Sequence, residues 1–123
     1  MTSVTIGNAT GLTATVTTQK LVFPIAVNKD VTVKLVNEDS TNSVDWIVKA
    51  FHHPVDTTQR LLVVDIPTIG VETVAVSATV IKDDFDDVQV PDDKAYTHLV
   101  VEYVRTTVDA TPISVLVLGR PSL

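Results

Sequence analysis

A chain of 123 residues, 45% hydrophobic and 20% charged, is long enough for one domain with its own core and too apolar for wholesale disorder. It has no cysteine, which excludes disulfides, thiolate metal sites and a cysteine nucleophile. The formal net charge is −6, and the segment from Asp83 to Asp93 carries six acids and no base. Outside that segment acids and bases balance, so the phosphate-binding basic surface of a nucleic-acid protein is disfavoured.

Val and Thr supply about a third of the residues, and their β-branched side chains suit strands better than helices. Residues 1–20 open with a Thr-rich tract broken by Gly7 and Gly11. It reads as an edge strand, or as an arm that adds to a neighbour's sheet. Strand-length apolar runs then follow in order: LVFPIAV (Leu21 to Val27), VTVKLV (Val31 to Val36), VDWIVKAF (Val44 to Phe51) and RLLVVDI (Arg60 to Ile66). ETVAVSATVIK (Glu72 to Lys82), THLVVEYVRT (Thr97 to Thr106) and ISVLVLG (Ile113 to Gly119) complete them. Asn, Asp, Ser and Pro in NEDSTNS, HHPVDTTQ and TTVDATP mark the turns. The spacing predicts an all-β fold over residues 1–123: an antiparallel two-sheet β-sandwich, immunoglobulin-like or jelly-roll, of about seven to eight strands.

Alternation assigns the faces. Val31, Val33 and Leu35 point one way, Thr32 and Lys34 the other; Leu99, Val101 and Tyr103 oppose His98, Val100, Glu102 and Val104. Val74, Val76, Ala78 and Val80 are expected inward, and Trp46 is expected in the core with Val44 and Val48. Two runs are apolar on both faces. Leu61 and Val63 in one, and Leu116 and Leu118 in the other, form the expected self-association surface, because a monomer would place polar residues there.

The acidic stretch IKDDFDDVQVPDD reads as an exposed connection whose charges and Pro91 discourage edge pairing. As a cation site it would use Asp83, Asp84, Asp86 and Asp87 for calcium, but it has neither the EF-hand spacing nor a glycine to bend around an ion. His52 and His53 are adjacent and diverge on an extended chain, which leaves His98 as the third histidine of any metal set. No nucleophile elbow, phosphate loop or zinc-protease motif is present, so no enzyme, catalytic residue or cofactor is expected. No signal peptide or membrane-spanning run is visible.

From Val31 onward, VTVKLVNEDSTNSVDWIVKAF, RLLVVDIPTIGVETVAVSATV, THLVVEYV and ISVLVLGR resemble, in strand rhythm, small Cys-poor β-sandwich subunits of Gram-positive spore and cell surfaces. The pattern is similar to jelly-roll subunits of spore appendages and to phage capsid decoration proteins. The resemblance implies a non-enzymatic structural subunit that partners itself, as a homo-oligomer or polymer, in an extracellular surface assembly such as a filament. The alternative it implies is a virion protein on a capsid shell; a carbohydrate- or calcium-binding module is the reading from a different class. Appendage subunits often cross-link through cysteines, and this chain has none.

Overall fold

The computed structural model describes residues 4–13, 17–25, 28–39, 41–51, 72–74, 78–81, 83–91, 96–105 and 112–121. They form nine strands: β1 (Val4–Thr13), β2 (Gln19–Pro24), β3 (Asn28–Asn37), β4 (Val44–Phe51), β5 (Glu72–Thr73), β6 (Ala78–Val80), β7 (Asp84–Gln89), β8 (His98–Arg105) and β9 (Pro112–Pro121). There is no helix among the described residues, and so none to cross a membrane.

Two antiparallel sheets result, one ordered β1-β9-β3-β7 and the other β2-β8-β4-β5, with β6 also on β4. The pairings nest: β1 with β9, β2 with β8, β3 with β7, and β4 with β5 and β6. A long hairpin folded over on itself gives this order, with β3 on β9 and β4 on β8 closing the two sheets. The architecture is a two-sheet antiparallel β-sandwich, and the nested pairing among the described strands follows the order of a jelly roll.

The runs read from the sequence map closely onto these strands. VDWIVKAF spans β4 end to end. In β3, Val31, Val33 and Leu35 are buried, while Thr32, Lys34 and Val36 on the opposite side are half-buried. Ile113, Val115 and Val117 of β9 and Leu99, Val101 and Tyr103 of β8 complete the centre of the core. Trp46 lies there too, 3% exposed. ETVAVSATVIK contributes two short strands rather than one, and their registers on β4 differ by two residues. RLLVVDI, with Leu61 and Val63, lies outside the described residues, as do His52, His53, Val76, Asp92 and Asp93.

The acidic connection needs correction. Asp84–Gln89 is an edge strand, β7, paired with β3 from Thr32↔Gln89 to Asn37↔Asp84. Its alternation explains why: Asp86, Val88 and Val90 turn inward, and Phe85, Asp87 and Gln89 outward. Two inward valines and a backbone ladder outweigh the charges, since Asp84 and Asp87 stay exposed to water and the inward Asp86 accepts a hydrogen bond from the Trp46 indole. Asp83, at φ 59°, supplies the left-handed turn that starts the strand, a conformation Asp tolerates.

The Thr-rich tract is β1, laid along β9 of its own chain. Its register slips between Thr5 and Gly7 and again between Ala9 and Leu12, where Gly11 adopts φ 65°. Gly7 lets the strand approach the other sheet. A Cβ there would stand 2.4 Å from Cδ1 and 2.6 Å from Cε1 of Phe23 on β2. Gly7→Ala should therefore force the ring aside and cost about 1–3 kcal/mol, measurable as a lower urea midpoint. An unchanged midpoint would mean that Phe23 relaxes freely.

Candidate functional site

Outward side chains of the four-stranded sheet form rows across β1, β9, β3 and β7. Register places Thr5, Leu118, Thr32 and Gln89 in one row and Asn8, Leu116, Lys34 and Asp87 in the next. Ser114, Val36 and Phe85 make a third. Leu116 and Leu118 thus stand at the centre of an outward face, and both are half-buried. Val36 extends the apolar surface toward Phe85, which is 53% exposed and lies beneath the Lys34 ammonium at 4.2 Å from its ring centroid. That cation–π contact keeps the Phe85 ring against the sheet.

The opposite sheet behaves differently. Phe51, Val100 and His98 share its outward face, yet Phe51 and Val100 are wholly buried and His98 is 9% exposed. Phe51 stacks on His98 with centroids 5.6 Å apart, and the His98 Nδ1 lies 2.9 Å from the Thr97 hydroxyl. Farther along this face, Lys49 and Lys20 flank Glu102 at 2.6 Å and 3.8 Å. A shallow depression of about 260 Å³ there is lined by Thr18, Asp45, Ile47, Glu102 and Val104, with Trp46 and Tyr103 beneath.

That depression offers hydrogen-bonding groups but no stacking wall for a sugar. All the aromatic residues lie among the described ones, and Phe85 alone is exposed. Burial also pushes the Tyr103 phenol above the usual tyrosine range, the mark of a ring held in the core.

The candidate calcium ligands do not converge. Asp86 and Asp87 point to opposite faces of β7, and Asp86 Oδ2 accepts a hydrogen bond from the Trp46 indole N–H at 3.2 Å. Asp83 and Asp84 are exposed in and beside the turn. Asp84 and Asp86 each accept the next residue's backbone N–H, at 2.8 Å and 2.9 Å. No group of three or more His, Asp or Glu able to hold a metal occurs among the described residues. Arg120 pairs with Asp30 of its own chain, and Lys20 pairs with Glu102.

One constellation escaped the sequence reading. Arg105, at the inward end of β8, is fully buried beside Asp39 and Asn37. Its Nη2 donates to Asn37 Oδ1 at 2.8 Å, and its Nη1 lies 3.5 Å from Asp39 Oδ2. Asp39 also accepts the backbone N–H groups of Thr41 and Asn42, at 2.6 Å and 3.1 Å. Asn37 donates to the carbonyls of Asn42, at 2.9 Å, and Ile81, at 3.4 Å. The cluster ties β3, β8 and the β3–β4 connection together at one end of the sandwich, with Asn37, Asp39 and Arg105 buried. Its signal was present: Arg105 continues the inward parity of Leu99, Val101 and Tyr103.

Among the described residues, the strands at the sheet edges are each unsuited to indiscriminate pairing. β1 carries two register slips, β2 bears Lys20 and ends in Pro24, β5 and β6 are two and three residues long, and β7 is acidic. The outward face centred on Leu116 and Leu118 instead holds apolar side chains that stay partly exposed. Comparison of the chain with protein-family models and with curated proteins returned no match.

Proposed function

We propose that the protein is a non-enzymatic structural subunit that self-associates to build or decorate a repetitive surface, such as an extracellular filament. The observation that carries this reading is the stripe of half-buried Leu116, Leu118 and Val36, with the exposed Phe85 beside it, at the centre of an otherwise polar outward face. Apolar side chains left partly in water gain from a surface that covers them. A second copy is the simplest cover, because repetitive assemblies need one contact used many times. The reading draws further support from a compact β-sandwich in which the described polar clusters are engaged in holding strands together. Fold alone does not assign the role, since β-sandwiches serve many.

Negative-stain electron microscopy of the purified protein, with mass photometry across a concentration series, tests the reading. Filaments, sheets or discrete oligomers are expected. A monomer at every concentration that also fails to coat empty capsids would overturn it. Monomers or small oligomers that bind capsid shells would move the same subunit to a virion surface.

A further inference from the structure

We infer that the outward face of the β1-β9-β3-β7 sheet is a homotypic interface, occupied by the same face of a second copy about a two-fold axis. The inference rests on the self-association reading and assigns its surface and geometry. The axis lies in the plane of the face, perpendicular to the strands, between the row of Leu118 and the row of Leu116. It sets β9 antiparallel on its partner, with Leu116 opposite the second copy's Leu118.

Three observations favour this occupant. First, the rows are self-complementary about that axis. Lys34 comes opposite a Thr32, Asp87 opposite a Gln89, and Asn8 opposite a Thr5. In these two rows each charged group meets a neutral hydrogen-bonding side chain and no like charges come face to face, and in the outer pair Arg120, held by Asp30, comes opposite a Ser114. Second, the face is open. Leu116, Leu118 and Val36 keep partial exposure, whereas Phe51 and Val100 on the outward face of the other sheet are wholly buried. Third, the area suffices for a dimer. Four strands at a spacing of about 4.8 Å, and the four outward positions of β9 (Ser114, Leu116, Leu118 and Arg120) about 6.7 Å apart, give roughly 500 Å² a side. The pair then buries roughly 1,000 Å², at the threshold for a specific interface, and the two-fold contact closes at a dimer that a second contact would build into any larger assembly.

The absence of cysteine permits a direct test, because an introduced thiol is the only one in the chain. Leu116→Cys protein mixed with Leu118→Cys protein, treated with a short bis-maleimide, should give several-fold more cross-linked dimer than either variant alone. Equal yields from all three samples, or none, overturn the two-fold geometry. In parallel, Leu116→Asp/Leu118→Asp should weaken dimer formation at least tenfold in sedimentation, with the strand circular dichroism unchanged. If that variant misfolds, the cross-linking comparison decides. Assembly that persists in the folded aspartate variant overturns this face and leaves self-association standing, whereas a monomeric wild-type protein overturns both.

Discussion

Arg105→Met should lower the free energy of unfolding by roughly 3–5 kcal/mol, the range for removing one partner of a buried ion pair. The guanidinium is wholly buried and Asp39 is 2% exposed. Without it, the Asp39 carboxylate stays in the interior with the Thr41 and Asn42 donors but no cation. Asn37 Oδ1 loses its Arg105 partner and keeps the Asp39 N–H at 3.1 Å. The loss spreads because the cluster joins β3, β8, the β3–β4 connection and the carbonyl of Ile81. Arg105→Lys should recover only part, since one ammonium cannot span both acceptors as a planar fork does. Arg105→Met/Asp39→Asn should be more stable than Arg105→Met alone, because the stranded charge is gone. Urea unfolding of the three variants checks the order. A loss below about 1 kcal/mol for Arg105→Met would show the cluster to be dispensable.

The fold was legible wherever side-chain parity was clean. Val31, Val33 and Leu35 alternate with polar neighbours, and the structure buries them. Trp46 was readable as core from its parity with Val44 and Val48, and its indole N–H found a partner the sequence could not name, Asp86 on β7. The failure at β7 has a physical cause. Counting charge hid the period-two pattern of Asp86, Val88 and Val90, although an edge strand needs only one apolar face. Strand pairing across the chain, such as β1 on β9, joins residues about a hundred positions apart, and local pattern carries no register over that distance. The same limit applied to the outward face. Leu116 and Leu118 were evident from β9 alone, but Lys34, Val36, Asp87 and Phe85 became their neighbours only through register.

Neutralising the exposed acids of β7 should leave the monomer folded and release its edge. In the triple variant Asp83→Asn/Asp84→Asn/Asp87→Asn the net charge goes from −6 to −3. Asn accepts the left-handed backbone at position 83 and can still take the Phe85 N–H at position 84, so stability should change by less than about 1 kcal/mol. Asp86 must stay out of the set. It holds the Trp46 indole N–H, and Asp86→Leu would strand that buried donor at a cost of about 1–3 kcal/mol. What the triple variant loses is repulsion. The six residues of β7 have a second backbone edge that no other described strand pairs with, and Asp83, Asp84 and Asp87 in and beside the strand keep a second acidic edge away. Light scattering should therefore rise earlier for the variant than for the wild type at low ionic strength. Added salt should narrow the gap, since the Debye length falls to about 3 Å at 1 M and screens the wild-type charges too. Unfolding of the triple variant would mean that the acids hold the strand in place. Identical scattering at low salt would mean that something other than charge protects the edge. The face centred on Leu116 and Leu118 keeps its apolar residues in every one of these variants and loses only the Asp87 charge, so Asp83→Asn/Asp84→Asn, which leaves that face untouched, tells the edge from the face.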